Sequence, residues 1–274
     1  MRYGFVFPIG EARTAAEFAR EAEQAGWDGF FVPDTVWGFD PWVTLTAAAM
    51  LTERIRLGTM LTPVSRRRPW KLAGETATLD RLSGGRVILA TGLGAIDTGF
   101  AEFGEATERR ARAELLDEGL AIVDGLWRGQ PFNFSGKHYN VRETTFYPPP
   151  PPVQQPRIPV WVVGLLGSER SLARVARWDG LLPNKKDARR RIAKITPKDV
   201  RGARAWIEQH RTAGTPFDIV MEGETPGDRP KKAAAIAAEW AAAGATWWLE
   251  SRWSAPNLDV VLKRIKQGPP APAA

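Results

Sequence analysis

Short apolar segments alternate with helix-patterned segments along almost the whole chain, and this alternation constrains the fold more than any other feature. Eight such segments stand out, at residues 3–7, 29–32, 55–61, 87–91, 160–163, 180–182, 217–221 and 246–249. They are rich in β-branched and aromatic residues and nearly continuous in apolar character, as parallel strands buried on both faces should be. Between them, Ala15, Phe18, Ala19, Ala22 and Ala25 share one face of a helix predicted over 15–25. Leu115, Leu116, Leu120, Val123, Leu126 and Trp127 lie largely on one side of another, over 115–127. Pro41, Pro69, Pro197 and Pro230 stand where a first helical turn accommodates proline. Strand–helix units in this number predict an α/β fold, a (β/α)8 TIM barrel, as one domain over residues 1–267. A doubly wound sheet would require a Gly-x-Gly-x-x-Gly turn after the first strand, which Pro8-Ile9-Gly10-Glu11-Ala12 does not supply.

A weak internal repeat agrees. Gly26-Trp27-Asp28-Gly29, Arg177-Trp178-Asp179-Gly180 and Gly244-Ala245-Thr246-Trp247 each end a helix, turn and enter a strand. Residues 129–157 break the pattern and read as an insertion between the fourth helix and the fifth strand. A hairpin around Gly136-Lys137 comes first, then an extended proline run over 148–152. The Pro/Ala-rich tail, 268–274, is expected to lack fixed structure.

Composition removes several kinds of chemistry. There is no cysteine, and His138 and His210 are the only histidines, so thiolate and polyhistidine metal sites and cysteine nucleophiles are excluded. No apolar run approaches the roughly 18 residues of a membrane span. The start reads as a strand, not a signal peptide, so the protein is expected to be cytoplasmic and to have no membrane partner. A net charge of +7 and twelve tryptophans invite a nucleic-acid reading, but the tryptophans sit inside apolar segments, where burial is the plainer account. No nucleic-acid partner is expected; the charge instead suits steering of anionic small molecules.

In a barrel of this kind the site residues follow the strands at the C-terminal rim. The second strand leads to Asp34, Thr35 and Trp37, the third to Met60, Leu61, Thr62 and Arg66-Arg67-Arg68. Gly92-Leu93-Gly94 follows the fourth, Gly164-Leu165-Leu166-Gly167-Ser168 the fifth, Asn184, Lys185 and Lys186 the sixth, Glu222 the seventh and Glu250 the eighth. On position alone Asp34 serves equally as a turn cap or as a partner for a polar cofactor edge. Gly164, Leu165, Gly167, Ser168 and Arg170 could cradle a phosphate at a helix N-terminus, although Ser168 also reads as an ordinary N-cap. The basic clusters at 66–68 and 185–191 read first as solvated faces.

Four stretches carry a family resemblance: Asp40-Pro41-Trp42-Val43 with Thr52-Glu53-Arg54-Ile55-Arg56-Leu57-Gly58-Thr59; Pro69-Trp70-Lys71-Leu72-Ala73 with Asp80-Arg81-Leu82-Ser83-Gly84-Gly85-Arg86; Phe103-Gly104-Glu105 with Arg112-Ala113-Glu114-Leu115; and Arg157-Ile158-Pro159-Val160-Trp161-Val162. In order and spacing they resemble the bacterial-luciferase-like flavin- and F-420-dependent oxidoreductases over roughly residues 1–185. The resemblance implies hydride transfer or monooxygenation of a small organic substrate, with coenzyme F-420 or FMN across the barrel mouth. It also implies a non-prolyl cis peptide around Met60-Leu61-Thr62 against the ring, with Leu93 and Gly94 lining it. Gly164–Ser168 would then bind phosphate and Asp34 would meet the ring edge. Asp34 and Trp37 are the catalytic candidates, and Phe7, Trp37, Arg66 and Lys185 the candidates for the substrate. Two departures matter. Thr35 stands where many relatives have a histidine, and Ala95 where some have a glutamate; neither can move protons near neutral pH. A flavin-binding protein without turnover is therefore the alternative reading. A homodimer is the expected assembly.

Overall fold

A computed structural model describes residues 1–145, 150–189 and 191–270. It contains a closed barrel of eight parallel strands surrounded by helices. The elements run β1 (Arg2–Val6), α1 (Ala12–Gln24), β2 (Gly29–Val32), α2 (Pro41–Met50), β3 (Arg56–Thr59), β4 (Thr62–Pro63), α3 (Pro69–Leu82), β5 (Val87–Gly92) and α4 (Arg109–Arg128). A hairpin follows, β6 (Phe132–Ser135) and β7 (Asn140–Thr144). The second half is β8 (Val160–Leu165), α5 (Glu169–Ala176), β9 (Gly180–Asn184), α6 (Pro197–His210), β10 (Asp218–Gly223), α7 (Pro230–Ala243), β11 (Trp247–Ser251) and α8 (Leu258–Lys266).

Pairing goes β3-β2-β1-β11-β10-β9-β8-β5, and β3 then bonds β5 to close the ring. All eight predicted segments are strands of this ring, but the third is interrupted. It leaves the ladder after Thr59 and rejoins β5 as β4, with Thr62 opposite Thr91; the Met60–Leu61 peptide between the halves is cis. Pro41, Pro69, Pro197 and Pro230 each open a helix, at positions whose N–H needs no partner.

Strand alternation divides the core in two. Outward residues such as Phe5, Phe30, Leu57, Leu89 and Val162 pack under the helices. Inward residues fill the barrel: Phe31 stacks on Trp161 at 5.6 Å, and Trp161 meets Trp247 edge-on at 5.2 Å. Rings of this size need bare backbone opposite them. A Cβ on Gly180 would lie 2.3 Å from the Trp161 ring, and one on Gly29 2.8 Å from Phe31.

The 129–157 insertion contains the expected hairpin, with the Gly136 N–H donating to Tyr139 O at 2.8 Å. Part of the predicted proline run, 148–149, lies outside the described residues, as does the tail from 271. The first tail residue is anchored: Gly268 O accepts from Arg264 Nη1 at 2.7 Å.

Candidate active site

The two ends of the barrel differ. At the N-terminal end Arg2 lies over Trp247, pairs with Asp218 at 2.9 Å, and Trp161 Nε1 donates to the same carboxylate at 3.2 Å. These contacts cap the packed interior from below. At the C-terminal end the inward positions are Leu61, Gly92, Val163, Asn184 and Glu222, where aromatic rings give way to aliphatic, glycine and polar residues that leave a mouth.

One side of this mouth is a bare seat. A Cβ at Gly92 would fall 3.0 Å from Val163 and 3.3 Å from Leu61, so glycine keeps a gap between those side chains. Met60 and Leu61 pack on the top of the interior cluster. Gly94, at φ +74°, brings the following loop down against Pro63 and Phe100. Arg112 from α4 then fixes that loop, donating to Leu93 O at 2.6 Å and Gly94 O at 3.1 Å. Met60 and Leu61 thus stand over the barrel interior, whereas Leu93 packs with the residues under the helices. Thr62 is turned away: its hydroxyl is buried and donates to Thr59 Oγ1 at 2.9 Å, within the barrel wall.

The β8–α5 connection divides in the same manner. Gly164 is needed for packing, since a Cβ there would sit 2.4 Å from Leu181 and 2.9 Å from Val175. The Leu165 N–H is already held by Ser171 Oγ at 2.9 Å. Beyond them the turn is open. Gly167 has φ +78° with no atom near a built Cβ, and Arg170 is exposed. Ser168 occupies the N-cap position, yet its side chain makes no capping bond. Its hydroxyl and the first free N–H groups of α5 remain available to an anion.

The structure gives four of the expected site residues partners within the protein. The Asp34 side chain is 1% exposed and saturated, accepting from Arg66 Nη2 at 2.8 Å and from Arg67 Nε at 3.0 Å and Nη2 at 3.2 Å. It ties the loop after β2 to the turn after β4 and does not face the mouth. Arg66 is buried in the same cluster, with a second bond to Asp34 O at 2.9 Å, so it is not a surface cation awaiting substrate. Phe7 is wholly buried between Phe18, Phe30 and Phe39, because the chain continues outward past Val6. Lys185 is paired with both Asp199 oxygens, at 2.8 and 2.9 Å. Trp37, by contrast, is 82% exposed on the rim.

The electrostatics follow from these pairs. Burial works against the Arg67 guanidinium, but Asp34, Asp40 and Glu75 outweigh it and hold its pKa above the ordinary value. Burial raises the neighbouring Glu75 carboxyl, against the pull of Arg67. Glu250 also leaves the list of rim groups. It is fully buried on the outer face of β11, bound by Thr225 and by Arg264 Nε at 3.1 Å.

Two residues at the mouth escaped the sequence reading, Arg112 and Trp253, and Asn184 was placed on the rim without a role. Asn184 Oδ1 is buried without a hydrogen-bond partner. Trp253, from the loop after β11, donates its indole N–H to Glu222. Alternation from Leu182 and Val220, both in the interior cluster, was the available signal that Asn184 and Glu222 turn inward.

Comparison with known proteins gives a consistent result. Residues 1–252 match the family profile described as luciferase-like monooxygenase. An uncharacterised protein of Mycobacterium tuberculosis is 32% identical over 213 residues, covering 68% of this chain and 73% of that protein. An F420-dependent glucose-6-phosphate dehydrogenase of Amycolatopsis mediterranei is 35% identical over 163 residues, 55% of this chain but only 47% of the relative. Among solved structures, the coenzyme F420-dependent tetrahydromethanopterin reductase of Methanopyrus kandleri superposes with a TM-score of 0.76 at 19% identity, covering 97% of this chain and 96% of the other. At that identity the likeness is one of fold.

Proposed function

Because the chain belongs to the luciferase-like monooxygenase family, we propose that it is an oxidoreductase that binds a deazaflavin, coenzyme F-420, in the barrel mouth and acts on a small organic substrate. The observation that carries this reading is the seat at the Met60–Leu61 junction, where Gly92 leaves bare backbone between Leu61 and Val163. A planar ring needs such a surface, and the packed, capped interior beneath it stops the ring from sinking further. The sequence relatives named as F420-dependent dehydrogenases support the deazaflavin over FMN.

When bound, the deazaflavin supplies hydride chemistry at one ring carbon. The protein's own residues do the positioning. Leu61 and Val163 form the apolar floor, and Arg112 fixes the Leu93 and Gly94 carbonyls at its edge. The open turn at Gly167 and Ser168 offers N–H and hydroxyl donors to an anionic part of the cofactor. Trp37, exposed on the loop after β2, is the residue available to shield a bound substrate from water. Asp34 takes no part in proton transfer here; its work is to hold two loops together.

Absorbance and fluorescence titration with coenzyme F-420 and, in parallel, FMN tests the proposal. Saturable F-420 binding, weakened by Gly92→Val, is expected. Preference for FMN would replace the deazaflavin with a flavin on the same seat. Binding of neither would overturn the proposal. Binding with no turnover across alcohol, carbonyl and alkene substrates would instead identify a carrier of the cofactor.

A further inference from the structure

The inward-facing ionisable residues of the barrel strands are unevenly placed. By alternation they are Arg2, Arg56 and Asp218 at the N-terminal end and, among the described residues, Glu222 alone at the C-terminal end. Asp218 belongs to the cap beneath the interior. Glu222 opens to the mouth: it is exposed, and no lysine or arginine among the described residues pairs with it. Its partner is the neutral indole of Trp253, which orients the carboxylate without cancelling its charge.

The neighbouring strand adds a second acceptor. Ile219 lies opposite Leu181, and continuing that register by three residues sets Glu222 opposite Asn184. Asn184 Oδ1 is buried and has no donor. A buried acceptor left unpaired costs about 1–3 kcal/mol, so the arrangement favours a ligand that brings a donor. The cations nearby do not reverse this preference. Arg66 and Arg67 are spent on Asp34, Lys185 on Asp199 and Arg191 on Asp187, while Arg68, Arg170 and Lys186 have no carboxylate partner among the described residues and do not pair with Glu222. Around the opening stand exposed apolar groups: Ile9, Trp37, Ile96, Phe103 and Trp253.

From an exposed carboxylate that no described cation pairs with, an unpartnered amide on the neighbouring strand and an apolar surround, we propose that Glu222 and Asn184 form the specificity subsite for a neutral or cationic substrate. Its apolar body would carry a hydroxyl or ammonium donor, and phosphate esters would be excluded. A phosphate dianion is repelled by the Glu222 carboxylate. The chain would thus differ in substrate charge from the relatives named as glucose-6-phosphate dehydrogenases. The inference rests on the mouth being the substrate site.

Calorimetric binding of three ligands of one shape separates the possibilities: cyclohexanol, cyclohexylammonium and cyclohexyl phosphate, each with the full-length protein with and without F-420. The alcohol and the ammonium ion are expected to bind at least tenfold more tightly than the phosphate. Glu222→Gln should abolish the preference for ammonium over phosphate, and Glu222→Lys should reverse it. Glu222 is exposed, so both variants should fold, which circular dichroism checks. Equal or tighter binding of the phosphate by the wild type overturns the inference, as does unchanged selectivity in Glu222→Gln or binding of none of the three. F-420 binding without this charge selectivity removes the subsite and leaves the cofactor proposal standing. Charge selectivity without F-420 binding does the reverse.

Discussion

Asp34 shows how far a residue's role depends on partners distant in sequence. Its position after the second strand was legible, because strand ends point to the rim. Its saturation was not, since Arg66 and Arg67 lie 32 and 33 residues away and the sequence reads them as a surface cluster. Removing one member of a buried ion pair leaves uncompensated charge and costs about 3–5 kcal/mol. Asp34→Ala is therefore expected to destabilise the fold by about 3 kcal/mol, which differential scanning calorimetry would register as a fall in Tm of roughly 10 °C. Asp34→Asn keeps an acceptor and should lose less. A catalytic Asp34 would give the opposite signature, lost activity at unchanged stability. Arg86 is a second residue whose role only the structure reveals. It donates to the carbonyls of Ala49, Thr52, Ile55 and Ser83, joining the end of α2 to the entry of β5. Five donors in a rigid fork make this possible, so Arg86→Lys should lower stability by about 2 kcal/mol in urea denaturation.

At the level of elements, the β6–β7 hairpin was foreseen but its docking was not. Helix α4 holds it with two carboxylates on one face. Glu118 accepts the backbone N–H groups of Lys137, His138 and Tyr139 at 2.9–3.0 Å, while Glu114 takes Lys137 Nζ at 2.7 Å and His138 Nε2 at 2.9 Å. A helical period reports the apolar face of α4 and is silent about which polar residues receive a loop. The hydrogen bonds from Lys137, His138 and Arg110 lower the Glu114 pKa from 4.5 to about 2. A carboxylate lowered by folding contributes its full stabilisation above the unfolded value and loses it as pH falls through the folded one. Hairpin protection, read by amide hydrogen exchange at residues 132–144, should therefore weaken as pH falls from about 4.5 to about 2. In Glu114→Gln that pH dependence should disappear. The repeated turns also hold more than the sequence showed. Asp28 and Asp179 each accept the N–H of a strand residue, Tyr3 at 2.7 Å and Val160 at 3.1 Å, which ties successive units together. Only Gly26 and Gly244 supply the positive φ expected of the repeat; the turn at Arg177 closes without it.

For the whole molecule, barrel closure depends on backbone approach at the β3–β5 seam. A Cβ at Gly58 would stand 2.7 Å from Ile88 O and 2.9 Å from the Phe31 ring. Backbone cannot yield as a side-chain tip can, so Gly58→Ala should cost about 1–3 kcal/mol, the usual penalty of overpacking. Gly74, inside α3 with nothing within 4 Å of a built Cβ, is the contrasting case. Gly74→Ala should stabilise by about 1 kcal/mol through helix propensity, and thermal melts of the two variants check the opposite signs. Strand number and order were legible because apolar alternation is a local signal. The mouth was less so: Leu61, Gly92, Asn184 and Glu222 meet there from four strands, and only barrel closure makes them neighbours. The plug of Trp161, Trp247, Arg2 and Asp218 gives the barrel a single doorway. If cofactor and substrate both bind there as proposed, they share that doorway, and the deeper occupant would arrive first and depart last.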